Sequence, residues 1–340
     1  MADTAPPSKR ELLPYQIVMA AVGASIGGIV AVLGDLREEL EFTESEIGIV
    51  VTAGFGAAFV AQIWLARYAD QGYGRIMAIT GVAITSAGLF LMVFADVVWL
   101  WFLARAAVGF GGGLVMPGLR RAATVLDPTR VGENLGRLII GEVGGFLAGP
   151  VVAALFVEGF GIRAPFLAFA IGLVAFLPFV WRLPPDRGSI DTTGRRSFDL
   201  LRNRRLQGAL LVIGGYFALI GGWESVMPVL FKDRGGGSMY TGITFTMLAI
   251  PVLFLSRYAG RLADRVGPPK VAVIGTGAVS LWMIFFGFIP GLVWPVICLT
   301  TFGVFDAFGF TAAQVAVSRS VPEDRQAAAL GLMGAIEVLG

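Results

Sequence analysis

Ten apolar runs of about 20 residues constrain this chain more than anything else in it. They lie near 15–34, 46–66, 76–95, 97–119, 138–157, 164–181, 206–231, 239–256, 271–289 and 291–317, and an eleventh opens near Ala327. Each is long enough to cross roughly 30 Å of hydrocarbon as a helix. Strands of an outer-membrane barrel would instead alternate over ~10 residues, so the runs predict an all-α membrane protein. Composition agrees: 56% hydrophobic and 15% charged residues, with a mean hydropathy of +0.77, lie far outside the range of soluble domains.

The single cysteine, Cys298, excludes an internal disulfide framework, and the absence of histidine removes the commonest metal ligand and the usual proton carrier near neutral pH. Proton handling therefore falls to carboxylates, and no metal or cofactor is expected. Lys9 and Arg10 precede the first apolar run, which is the length of an uncleaved first helix rather than of a signal peptide core. Seven arginines between Arg182 and Arg205, set against the acidic DLREELEFTESE after helix 1, predict cytoplasmic even-numbered loops, a cytoplasmic N-terminus and residence in the cell's inner membrane.

The polar stretch RLPPDRGSIDTTGRRSFDLLRNRR, 182–205, supplies a linker, residues 184–205, dividing a six-helix half, residues 1–183, from a second half, residues 206–340. Internal repetition supports that division. A shift of 194 pairs Asp70 with Asp264, Gly109 with Gly303 and Pro128 with Pro322; a shift of 195 pairs Arg130 with Arg325, Gly136 with Gly331, Glu142 with Glu337 and Gly145 with Gly340. Two parallel repeats place a substrate path between the halves near the membrane midplane. A second half as long as the first would run to about residue 376, so a complete helix 11 and a helix 12 are expected beyond Gly340.

Four stretches resemble the major facilitator superfamily, and more narrowly its drug:proton antiporters. GRLADRVGPPK, from Gly260, follows the superfamily loop pattern Gly-x-Leu-Ala-Asp-Arg-x-Gly between helices 8 and 9. Its first-half copy ARYADQGYGR has Ala66 for glycine and one extra residue before Gly74 and Arg75. LARAAVGFGGG resembles the helix-4 pattern Arg-x-x-Gln-Gly with Val108 in place of glutamine, and Gly136, Gly145 and Gly149-Pro150 reproduce the helix-5 spacing. Asp70, Arg75, Asp264 and Arg265 are the candidate gating-loop residues. An aspartate there either seats against the positive end of another helix or simply belongs to a polar turn. Small residues of helix 5 allow close helix packing, and Pro150 frees a carbonyl.

The resemblance implies a central cavity lined by helices 1, 4, 7 and 10, whose ionisable residues are Asp35, Arg105, Glu224 and Asp306. Asp306 and Glu224 are the candidate coupling carboxylates, with Arg105 opposite them, unless Arg105 snorkels to the headgroups. Glu142, about 6 Å inside its apolar run, and Glu337 serve either as polar contacts between the halves or as a proton relay. The expected function is proton-coupled efflux of a small lipophilic or cationic molecule by a monomer in the bilayer. Proton-driven uptake of a metabolite is the alternative. A non-transporting sensor or an intramembrane enzyme would need a soluble domain or a His, Cys or Ser constellation that this sequence does not display, and nothing suggests nucleic acid.

Overall fold

Helices outrun the apolar segments that specify them. The computed structural model describes residues 12–181, 197–235, 238–286 and 291–339, and within these are α1 (Leu13–Glu39), α2 (Glu44–Leu65), α3 (Gly74–Val93), α4 (Val98–Leu126), α5 (Val131–Phe160), α6 (Ala164–Trp181), α7 (Arg204–Asp233), α8 (Ser238–Val266), α9 (Pro268–Phe286), α10 (Val293–Arg319) and α11 (Gln326–Leu339). Seven spans among the described residues are long and apolar enough to cross a membrane. Helix α5 begins seven residues before the apolar run at Leu138, so Glu142 lies about 16 Å from the helix start. The apolar run still begins at Leu138, and the stretch before it is a polar extension of the same helix. Polar ends are made by local chemistry, as at α2, where Thr43 Oγ1 accepts from Glu46 N–H while the Glu46 carboxylate accepts from Thr43 N–H.

In the first half α5 packs on α1, α4 on α2 and α3, and α6 on α3. In the second, α10 packs between α8 and α9. The halves meet along two seams, α5 against α8 and α2 against α11. A shift of about 195 residues carries α2 onto α8 and α5 onto α11, so the two seams are one contact made twice about a pseudo-two-fold axis. Large apolar side chains such as Trp64, Leu155, Ile171, Leu211, Phe254 and Ile274 face outward, whereas Asp70, Arg105, Arg120, Arg121 and Asp306 are buried. That distribution suits a lipid-facing exterior and a polar interior.

The helix-5 glycines set the spacing of the first half. A Cβ on Gly145 would come within 2.0 Å of Ala20 O, and one on Gly149 within 2.3 Å of Ala24 O. Gly27 of α1 lies against Phe146 O, the carbonyl that Pro150 leaves without its intrahelical donor. Gly136 instead faces the other half, where its Cβ would sit 2.3 Å from Ser256 O.

Candidate functional site

At the end of the bundle carrying the α2–α3, α4–α5, α8–α9 and α10–α11 connections, each half inserts an aspartate into the other. Asp70 accepts hydrogen bonds from Ala327 N–H and Ala328 N–H at the start of α11, both at 2.8 Å. Asp264 accepts from Gly132 N–H at 3.0 Å and Glu133 N–H at 3.2 Å at the start of α5. Those amides are otherwise unsatisfied donors at the positive end of a helix dipole, which is why a carboxylate fits there. The two pairs are repeat equivalents. Each aspartate also meets a guanidinium: Arg121 Nη1 lies 3.1 Å from Asp70 and Arg319 Nη2 2.6 Å from Asp264.

The seams around these seats are close. A Cβ on Gly132 would meet Gly260 O at 2.2 Å, and one on Gly331 would meet Gln62 O at 2.6 Å. Glu133 Oε1 gathers Arg257 at 2.8 Å, Arg261 at 3.0 Å and Arg137 at 3.3 Å, tying α5 to α8. Arg121 additionally donates to Ala69 O and Glu323 O, and Thr124 Oγ1 donates to Gln326 Oε1. Neither Arg75 nor Arg265 forms a hydrogen bond or ion pair among the described residues, so the guanidiniums at these seats are Arg121 and Arg319. The left-handed turn of the first-half loop is made by Gly72, at φ +90°, as that of the second is by Gly267 at +109°, while Gly74 is the first residue of α3. A side chain would be strained at both turn positions.

Deeper between the halves, Arg120 of α4 bridges the two repeated glutamates. Its Nη1 is 3.2 Å from Glu337 Oε2 and its Nη2 3.4 Å from Glu142 Oε2. Arg120 is 2% exposed, whereas the Glu337 and Glu142 side chains it bridges are 14% and 26% exposed. Glu142 and Glu337 border a cavity of about 210 Å³ with Gln62, Met116, Arg120 and, further along α4, Arg105. Arg105, 3% exposed, has no hydrogen-bond or carboxylate partner for its Nε among the described residues; it lies beside Gly54, with the Phe55 ring 6.0 Å away.

Asp306 of α10 is buried and accepts a short hydrogen bond from Tyr216 Oη of α7, within an aromatic group that includes Phe217 and Phe310. The expected opposition of Asp306 and Arg105 is not met: each has other neighbours. Asp35 and Glu224 fall on α1 and α7, with side chains outside the described residues. The functional geometry therefore includes Arg120, Arg121, Glu133, Tyr216 and Arg319, which motif reading passed over. For Arg120 and Arg121 a signal was present. Two adjacent arginines close the apolar run of helix 4, and they are buried because the helix continues to Leu126.

Two pseudo-symmetric helical halves, pinned to each other at one end and enclosing buried ionisable groups, define a multi-pass membrane transporter. The chain belongs to the Major Facilitator Superfamily, whose pattern matches residues 17–340. It is 28% identical over 294 residues to the multidrug resistance protein MdtG of Dickeya zeae (strain Ech586), covering 80% of this chain and 71% of that one. It is 27% identical to the MdtG of Klebsiella pneumoniae (strain 342), covering 67% and 58%. Among solved structures, the human organic anion transporter MFSD10 (TETRAN) superposes with a TM-score of 0.73 at 16% identity, covering 98% of this chain and 91% of that one. The nucleoside transporter NupG gives 0.66 at 14% identity, covering 97% and 89%.

Proposed function

We propose that the protein exports small lipophilic or cationic molecules in exchange for protons, by alternating access, as a monomer in the inner membrane with its N-terminus and even-numbered loops in the cytoplasm. The observation that carries this reading is the reciprocal seating of Asp70 and Asp264 on the helix starts of the opposite half. Two such seats close one end of a central path with contacts that exist only while the halves are together there, as a releasable gate requires. With even-numbered loops inside, this conformation is closed toward the cytoplasm. The efflux assignment draws on the MdtG relatives, named for multidrug resistance.

Asp306 and Glu224 are the proposed coupling carboxylates. A buried carboxylate facing Tyr216 and a wall of phenylalanines is costly as an anion unless it takes up a proton or meets a cation. Proteoliposomes containing the full-length protein, loaded with fluorescent cations and given a pH gradient, test the reading. Asp306→Asn should abolish gradient-driven movement while membrane insertion is kept. Coupled transport at wild-type rates in both Asp306→Asn and Glu224→Gln would place the proton path elsewhere.

A further inference from the structure

The Arg120 bridge has a charge imbalance that the gate does not use. One guanidinium faces two carboxylates, Glu142 of α5 and Glu337 of α11, so the fully ionised triad carries one net negative charge around a buried Arg120, with the Glu337 and Glu142 side chains 14% and 26% exposed. Such a charge is unfavourable in a low-dielectric interior unless a proton or another cation joins it. Space for that partner is present. The cavity of about 210 Å³ reaches both glutamates, too small for a whole drug-sized molecule but enough for a charged head group.

Two further atoms point to a donor-bearing cation. Among the described residues, Glu337 Oε1 and Gln62 Oε1 are buried without a hydrogen-bond partner, and Gln62, 6% exposed, lines the same cavity. Gln62 Oε1 occupies the space that a Cβ on Gly334 would fill, so the glycine one turn before Glu337 admits it. An N–H of an ammonium group satisfies such acceptors, whereas a purely apolar ligand leaves them unpaired. The triad also spans the halves, because Arg120 and Glu142 belong to the first and Glu337 to the second.

We infer that Glu142, Glu337 and Arg120 form a cation-exchange site in which a proton and the ammonium head group of an organic cation compete for the same place between the halves. This rests on the transport reading above and adds a second exchange site to it. The proton leaves a carboxylic acid for water as the ammonium arrives, and returns when the ammonium departs, so exchange is one for one and the charge of the cavity is unchanged. The charged groups facing the pair are Arg120 and, at the far end of the cavity, Arg105, both from α4; Gln62 of α2 is polar, and among the described residues α1 contributes only Ile26 to this cavity. Arg105 lies 15 residues from Arg120, roughly 22 Å along the helix, so it does not complete the triad.

Equilibrium binding of 9-aminoacridine to the purified full-length protein, followed by fluorescence polarisation across about pH 5.5 to 8, tests the site. Competition with one proton predicts that affinity rises about tenfold per pH unit on the acid side. Glu142→Gln and Glu337→Gln should each flatten that slope and weaken binding at the alkaline end at least tenfold, with Glu337→Asp keeping the slope and unchanged gel-filtration profiles showing that the variants fold. The inference is overturned if both glutamine variants retain the wild-type slope, or if wild type binds 9-aminoacridine with no pH dependence. It is also overturned if proteoliposomes show pH-driven efflux that neither substitution alters, in which case the transport reading stands alone. Absence of any gradient-driven efflux, with the binding slope intact, would sink the transport reading and leave the exchange site.

Discussion

The two aspartate seats are repeat equivalents but differ in burial, and that difference predicts unequal consequences for Asp70→Asn and Asp264→Asn. Asp70 is 1% exposed and pairs with Arg121, itself 2% exposed; the Asp264 and Arg319 side chains are 11% and 35% exposed. Asparagine keeps one oxygen for one helix-start amide but leaves the other amide unpaired and the guanidinium without a counter-charge. Breaking a buried pair from one side costs about 3 kcal/mol or more. A partly wet seat loses nearer ~1 kcal/mol. At ~1.4 kcal/mol per tenfold, Asp70→Asn should shift the balance between closed and open at this end by ~100-fold or more, and Asp264→Asn by about fivefold. Spin labels on cysteines at the exposed Thr129 and Lys270, in a Cys298→Ser background, report the separation across that end by pulsed electron resonance. A larger long-distance population in the Asp70 variant is the expected result. Equal populations, or a larger change in the Asp264 variant, would refute the reasoning from burial.

A cysteine at Phe198, which is exposed, should resist impermeant thiol reagents in intact cells and react in inverted vesicles; its neighbour Ser197 is unsuitable because it is buried and donates to Ile63 O. Labelling of Phe198→Cys in intact cells would invert the proposed topology. Gly145→Val should lower thermal stability by several degrees, because a Cβ there would lie 2.0 Å from Ala20 O, whereas Gly159→Ala, with nothing within 4 Å, should leave it unchanged. Equal melting temperatures for the two variants would contradict the α1–α5 packing.

Apolar length and repetition made the helices, the halves and the equivalence of Asp70 with Asp264 readable from the chain, because both signals are local or periodic. Helix ends were less legible. The start of α5 and the last turns of α4 and α8 are polar, and their helical conformation is favoured by contacts across the seams rather than by hydropathy, so these helices are longer than their apolar runs. Side-chain partners were the least legible. That Arg120 serves Glu142 and Glu337 depends on three helices converging, and that Tyr216 serves Asp306 depends on α7 meeting α10. The first-half loop shows the same limit. Its departures at Ala66 and in the turn weaken its likeness to the family pattern, yet its aspartate is the more deeply seated of the two. Gly72 restores the left-handed turn one residue earlier, and the Ala66 methyl faces Gly331.

Arg120 and Arg121 are consecutive, and a helix turns about 100° between neighbours, so their guanidiniums leave α4 in different directions, one toward the Glu142–Glu337 pair and one toward the Asp70 seat. Helix α4 thus works like a camshaft with two lobes. A rotation of α4 about its own axis would carry both guanidiniums with it, because they stand on adjacent residues of one helix. Inserting one residue between them would turn one arm by about 100° relative to the other even with every contacting side chain retained.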